Sequence, residues 1–202
     1  MSLTYTEKID MDNLQNLSES KPRRTAKVVR NEKAYAQCLE TTVFELERMV
    51  DIYKNTVFEE DMRARLYRDS MEKWIRRYHE YSIRGNFKSH YHQRGVSLNN
   101  SDVTFEHVIP VRQLLYYLLS GEMTIGQVLN APTCRVSNAS NKLLNDRGMH
   151  ETNTNPWLFF KRYAVGCAVN GQSISIETFN GQAIPDLETW TLRDHYNFFG
   201  IV

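Results

Sequence analysis

The chain has 202 residues, 41% of them hydrophobic and 24% charged, with a formal net charge of +1. That profile suits one folded domain large enough to bury a real core, and excludes a disordered or fibrous chain. No run of about 18 apolar residues is present, so no helical membrane span is expected.

The first residues, MSLTYTEKIDMDNLQNLSESKPRR, lack the apolar stretch of a secretory signal. Cys38, Cys134 and Cys167 are odd in number and show no C-x-x-C spacing, which argues against a disulfide framework and a zinc knuckle. A soluble, cytoplasmic protein is the expectation. Its charge is unevenly placed. Residues 21–30 hold five basic side chains and no acid, residues 63–94 hold nine Lys or Arg against three acids, and residues 151–202 hold three basic and five acidic ones. Positive charge therefore gathers in the first half, where it could hold a polyanion or simply form solvated helix faces.

Residues 1–25 read as a flexible polar arm and residues 26–202 as a single domain. Between Asn31 and Lys54, Tyr35, Leu39, Val43, Leu46, Val50 and Tyr53 recur every three or four residues and predict an amphipathic helix. A second helix is predicted from about Glu59 to Tyr81, with Met62, Leu66, Trp74, Ile75 and Tyr78 on its buried face. The short break between them makes the two a helical hairpin. The second helix interleaves arginines with aromatics. Arg76 and Arg77, with Arg84 and Lys88 beyond it, are candidate nucleic-acid contacts, since guanidinium groups bond phosphates and aromatic rings stack on bases. Residues 82–100 read as a loop. His90 and His92 there would share a face if extended, as a weak metal pair, a phosphate contact or plain exposed side chains.

SDVTFEHVIP, residues 101–110, then reads as a strand ending in Glu106-His107 and stopped by Pro110. VRQLLYYLLSGEM reads as a buried helix with Gly121 near its end, and Thr124–Leu129 as one more turn. TCRVSNASNKLLNDRG follows as a short strand, Thr133–Val136, turning into a helix that carries Asn138, Asn141 and Asn145. Asn155-Pro156 suits the start of a helix through WLFFKRYAVGC. Two Asn-Gly pairs flank an alternating run that reads as strand and turns. DLETWTLRDHYNFFGIV predicts a last helix docking aromatics on the core.

A histidine that can take a proton near neutral pH, beside a hard carboxylate oxygen and amide carbonyls, is the equipment of metal-assisted phosphodiester hydrolysis. Here residues 101–147 resemble the HNH (ββα-metal) nucleases, which place an acid–histidine pair before a proline and an Asn or His on a following helix. The resemblance implies that His107 is the base activating water, that Glu106 is the acid, and that Asn141 is the helix ligand of Mg²⁺ or Mn²⁺. Asn145, one turn further on the same face, is the alternative ligand. Asn138 is better placed to cap or brace. The family's acid is more often Asp, and the gap from His107 to Asn141, 141 − 107 = 34 residues, accommodates an inserted helix and turn. Adjacent strand residues point to opposite faces, so one shared site predicts a twist or kink at Glu106-His107. Arg135, Lys142 and Arg147 are further candidate phosphate contacts.

The expected fold is α+β, a mainly helical domain built around a ββα-metal (HNH) hairpin–helix unit. Residues 26–100 form its basic helical part, 101–150 its HNH core and 151–202 a helix-strand-helix segment. The expected function is a divalent-metal-dependent DNA endonuclease leaving 5′-phosphate and 3′-hydroxyl ends, with double-stranded DNA as partner. One site cuts one strand, so cutting both requires a homodimer or two sequential events. Two alternatives stand beside it: a nucleic-acid-binding protein that keeps the fold without the chemistry, and a helical interaction protein presenting Tyr67, Trp74 and Tyr78.

Overall fold

A computed structural model describes residues 32–82, 89–97, 101–149 and 156–201, and the residues from Glu32 onward form one compact unit. The expected arm over 1–25, Arg84, Lys88 and Asn155 lie outside the described residues. Helix α1 spans Glu32–Asn55 and α2 spans Asp61–Ser82, and the two pack on each other as a hairpin. Leu46 and Val50 of α1 meet a buried stripe of Met71, Ile75 and His79 on α2, four residues apart and therefore stacked on one face. This corrects the face expected for α2. Ile75 is buried as expected, but Met62 and Leu66 are 62% and 58% exposed. His79 takes the core position because its Nε2 reaches the Val128 carbonyl at 2.9 Å.

Among the described residues four short strands form a mixed sheet in the order β2-β3-β1-β4. They are β1 (Tyr91–Gln93), β2 (Val103–His107), β3 (Thr133–Ser137) and β4 (Ile176–Thr178). β2 runs antiparallel to β3 in unbroken register from Val103↔Ser137 to His107↔Thr133, β1 is parallel to β3, and β4 is antiparallel to β1. Strand β1 falls where the sequence reads as loop. Three residues carry no detectable alternation, and only pairing on both sides makes them a central strand.

Between β2 and β3 lie α3 (Val111–Ser120) and α4 (Ile125–Leu129). α3 buries Val111, Leu114, Leu115 and Leu118, a stripe of period near 3.6, and ends on Gly121 in the left-handed region at φ 83°. α4 starts from a capping box between Thr124 and Gln127. Helix α5 (Asn138–Asp146) leaves β3 directly, its first turn capped by the Ser137 hydroxyl, and packs on β2 and β3.

The helix expected over WLFFKRYAVGC is instead two pieces, a 3-10 turn at Pro156–Leu158 and α6 at Lys161–Gly166. Phe159 and Phe160 are both fully buried at the joint. Adjacent residues of one continuous helix lie about 100° apart, so the break lets both rings enter the core. Asn170-Gly171 makes the expected tight turn, with φ 53° and 78° between the bridged Val169 and Gln172. The closing helix α7 (Leu192–Phe199) docks His195 and Tyr196 on the core, as the aromatic tail predicts. Among the described residues no helix is long and apolar enough to cross a membrane.

Candidate functional site

A cleft of about 1410 Å³ runs between α2, α3, α5 and the outer edge of β2, and Glu106, His107, Asn141 and Asn145 all line it. No kink brings Glu106 and His107 together, because the β2–β3 register is regular through both. The reason is the position of the strand. β2 is an edge strand, so Thr104, Phe105, Glu106 and His107 reach the same cleft in succession, from both faces of one open edge.

The His107 ring lies edge-on to Phe105 at 5.3 Å and tilted against His79 at 5.1 Å. Burial pushes its pKa down to about 2, helped by His79, Arg76 and Arg162 nearby, so the imidazole is neutral at any ordinary pH. Its Nε2 is buried and has no hydrogen-bond partner among the described residues. A buried orphan of this kind costs stability and is uncommon in a packed interior.

Glu106 is held from behind. Nη2 of Arg162, on α6, donates to its Oε1 at 2.7 Å and to the His107 carbonyl at 3.1 Å, and Nη1 donates to the Met149 carbonyl at 3.2 Å. The Tyr163 hydroxyl approaches Oε2 at 3.5 Å. Burial by itself would lower the Arg162 pKa, but Tyr163 and Glu106 together raise it above the ordinary guanidinium value. The cation is permanent. Sequence reasoning misses Arg162 and Tyr163, since they lie more than 50 residues beyond Glu106 in a stretch whose pattern signals only a buried helix.

The three asparagines separate. Asn138 is a brace: its Oδ1 accepts from the Thr104 hydroxyl at 2.5 Å, and its Nδ2 and backbone N–H reach the carbonyls of Ser101 and Asp102. Asn141 and Asn145 face the cleft, and neither side-chain amide makes a hydrogen bond among the described residues. One carboxylate and two amide carbonyls are hard oxygen donors of the kind Mg²⁺ or Mn²⁺ takes, with water and phosphate completing the shell. Among the described residues Glu106 Oε2 has only the long Tyr163 contact, and it retains a lone pair for a cation. The donor chemistry fits such an ion. Among the described residues no cluster of three or more His, Cys, Asp or Glu side chains is found, so a cation here would depend on the amides.

The other candidate contacts are dispersed. Arg76 lines the cleft, 4.0 Å from Glu72. Arg77 lies over the Trp74 ring at 5.7 Å, beside a second, smaller hollow. Lys142 is paired with Asp146 at 2.5 Å on the outer face of α5. Arg147 donates to the carbonyls of Val165 and Ala168 at 2.9 Å each, closing the end of α6. Arg135 is half-buried on β3 between Phe105 and His92, and burial lowers its pKa. Tyr67 and Tyr78 are partly buried against the core, and Trp74 lines the smaller hollow.

His90 and His92 form no pair. His90 is buried and bonded to Thr133, with burial and the neighbouring His195 and His79 depressing its pKa, while Nε2 of His92 meets Glu177 at 2.8 Å. Compared with protein-family models, with curated proteins and with solved structures, the chain gives no match in any of the three. What stands is the class that the fold defines, an α+β protein with a polar cleft along a sheet edge.

Proposed function

We propose that the protein is a divalent-metal-dependent DNA endonuclease of the HNH (ββα-metal) type, hydrolysing phosphodiesters to 5′-phosphate and 3′-hydroxyl ends. The observation that carries this reading is that Glu106-His107, at the end of β2, and Asn141, on the helix after β3, line one cleft although 34 residues separate His107 from Asn141. Glu106 and Asn141 would hold the cation, with Asn145 as the alternative amide. When bound, the ion stabilises charge on the phosphoryl and leaving oxygens.

His107 takes the proton from the attacking water. A neutral imidazole is in the right form to do so, but a base held near pKa 2 is weak. An incoming phosphate favours the imidazolium by opposite charge and moves the base toward its working range. Arg162 holds the Glu106 carboxylate in place by donating to Oε1.

The same Arg162 contact favours one other reading, a nucleic-acid-binding protein without chemistry, because Glu106 already has an internal cation. Cleavage of supercoiled plasmid in EDTA, Mg²⁺ or Mn²⁺ decides. Metal-dependent nicking that falls by roughly 10²–10⁴-fold in His107→Ala is the expected result for a general base. Salt-sensitive DNA binding with no cutting in any metal would replace the endonuclease with the binding protein.

A further inference from the structure

The cleft has a second wall that none of the hydrolytic residues explains. On α2, Arg65, Arg68 and Arg76 face it, spaced by three and eight residues and so on one side of the helix, over roughly 16 Å of axis at 1.5 Å per residue. On α3, Arg112 and Tyr116, one turn apart, face it from the side, and the Tyr116 ring is 64% exposed. Arg65, Arg68 and Arg112 have no carboxylate within 4.0 Å among the described residues, and Arg68 is steadied by the Tyr53 hydroxyl at 3.0 Å. Asp69 and Glu72 share this wall, so the charge is a row of discrete cations and not a uniform positive field.

From this arrangement we infer that the α2–α3 wall is the binding surface for a DNA strand, with Arg65, Arg68 and Arg112 on consecutive backbone phosphates and Tyr116 against a sugar or base. The inference rests on the endonuclease reading of Glu106 and His107 on the facing wall. Guanidinium groups without internal carboxylate partners are available for bidentate phosphate contacts. Their spacing along a helix suits a repeating anion, since a strand of duplex carries one phosphate per about 3.4 Å of axis. An exposed tyrosine between cations adds stacking that an acidic protein surface would not use. The strand would then pass between this wall and the β2 edge, with its scissile phosphate at His107. This moves the interface away from Arg77, Lys142 and Arg147.

The test is fluorescence anisotropy of the full chain with a short labelled duplex, and with one of its strands alone, in EDTA across a KCl series. The variants are Arg65→Gln/Arg68→Gln/Arg112→Gln and, as a control on exposed cations outside the cleft, Lys161→Gln/Arg193→Gln. The expected result is at least a tenfold loss of affinity in the triple variant at low salt. The slope of log K against log salt should become shallower by about 0.9 for each duplex phosphate that is no longer neutralised. The control should bind as wild type, and all three proteins should share one circular dichroism spectrum. A triple variant that binds with unchanged affinity and slope overturns the assignment, as does a wild-type protein with no salt-dependent affinity for either probe. Plasmid nicking read in parallel separates the two ideas. Cutting with unchanged binding in the triple variant retains the endonuclease and discards this wall; weakened binding in the triple variant without any cutting in wild type retains the wall and discards the endonuclease.

Discussion

Nη2 of Arg162 lies 2.7 Å from Oε1 of Glu106, and the arginine side chain is only 3% exposed. A buried cation and a half-buried acid joined in this way are worth little against an apolar pair, but removing one partner strands the other. Arg162→Met should therefore lose roughly 3–5 kcal/mol of stability, read from urea or guanidinium unfolding. The double variant Arg162→Met/Glu106→Gln should be less damaged than the sum of the singles. Strict additivity would show that the pair is not coupled.

A second prediction concerns pH. Burial holds His195 at about 4 and His79 at about 4, against an ordinary value of 6.5. Both are therefore neutral in the fold, while the unfolded chain takes up protons once the pH drops below 6.5. Between 6.5 and 4 the unfolded state binds more protons, so stability falls with acidification. The slope approaches about 1.4 kcal/mol per pH unit for each histidine and flattens below the folded values. Melting temperatures should drop from pH 7 to about pH 5. A flat profile over that window would show that these histidines are not buried and neutral.

The His195 environment can also be probed by substitution. Its Nε2 donates to the Asn130 carbonyl at 2.8 Å, which leaves Nδ1 to accept from the Tyr91 hydroxyl at 2.8 Å, and that oxygen accepts from Trp190 Nε1 at 3.2 Å. The chain of donors joins α7 to β1 and to the end of α4. Tyr91→Phe removes the middle link and leaves two partners unsatisfied, at a cost of about 1–3 kcal/mol by denaturant unfolding.

The asparagines should respond differently. Asn138→Ala, which removes the brace to Ser101 and Thr104, should lower the melting temperature without changing the metal dependence of cutting. Asn141→Ala should leave stability nearly unchanged and raise the Mn²⁺ concentration required by roughly ten- to hundredfold, as perturbed metal environments do. Calorimetric titration with Mn²⁺ and a thermal melt on both variants separate the roles. The reverse pattern would move the ligand to Asn138.

Close packing of α6 on α5 gives a last test. A Cβ at Gly166 would sit 2.6 Å from Leu144 Cδ2 and 3.0 Å from Met149 Sδ. Gly166→Ala should thus be destabilising by about 1–3 kcal/mol, although Ala is the better helix former. A more stable variant would show that the two helices are less tightly apposed.

The sequence by itself determined most of the elements. Periodicity located α1 and α2, apolar content located α3, Pro110 marked the end of the segment holding β2, and Asn170-Gly171 marked a turn, because these signals are local and act within a few residues. It also singled out Glu106, His107 and Asn141, which share a cleft. Tertiary structure decided what those residues face. β2 became an edge strand because β3 paired with β1 on its other side, and that placement, not a kink, put an acid and its neighbouring histidine on one cleft. The exposed start of α2, the break before α6, the three-residue β1, and the bonding partners of Arg162 and Arg147 all depend on residues distant in the chain. Their energies come from burial and hydrogen bonds closed across the fold, which no short window of residues encodes.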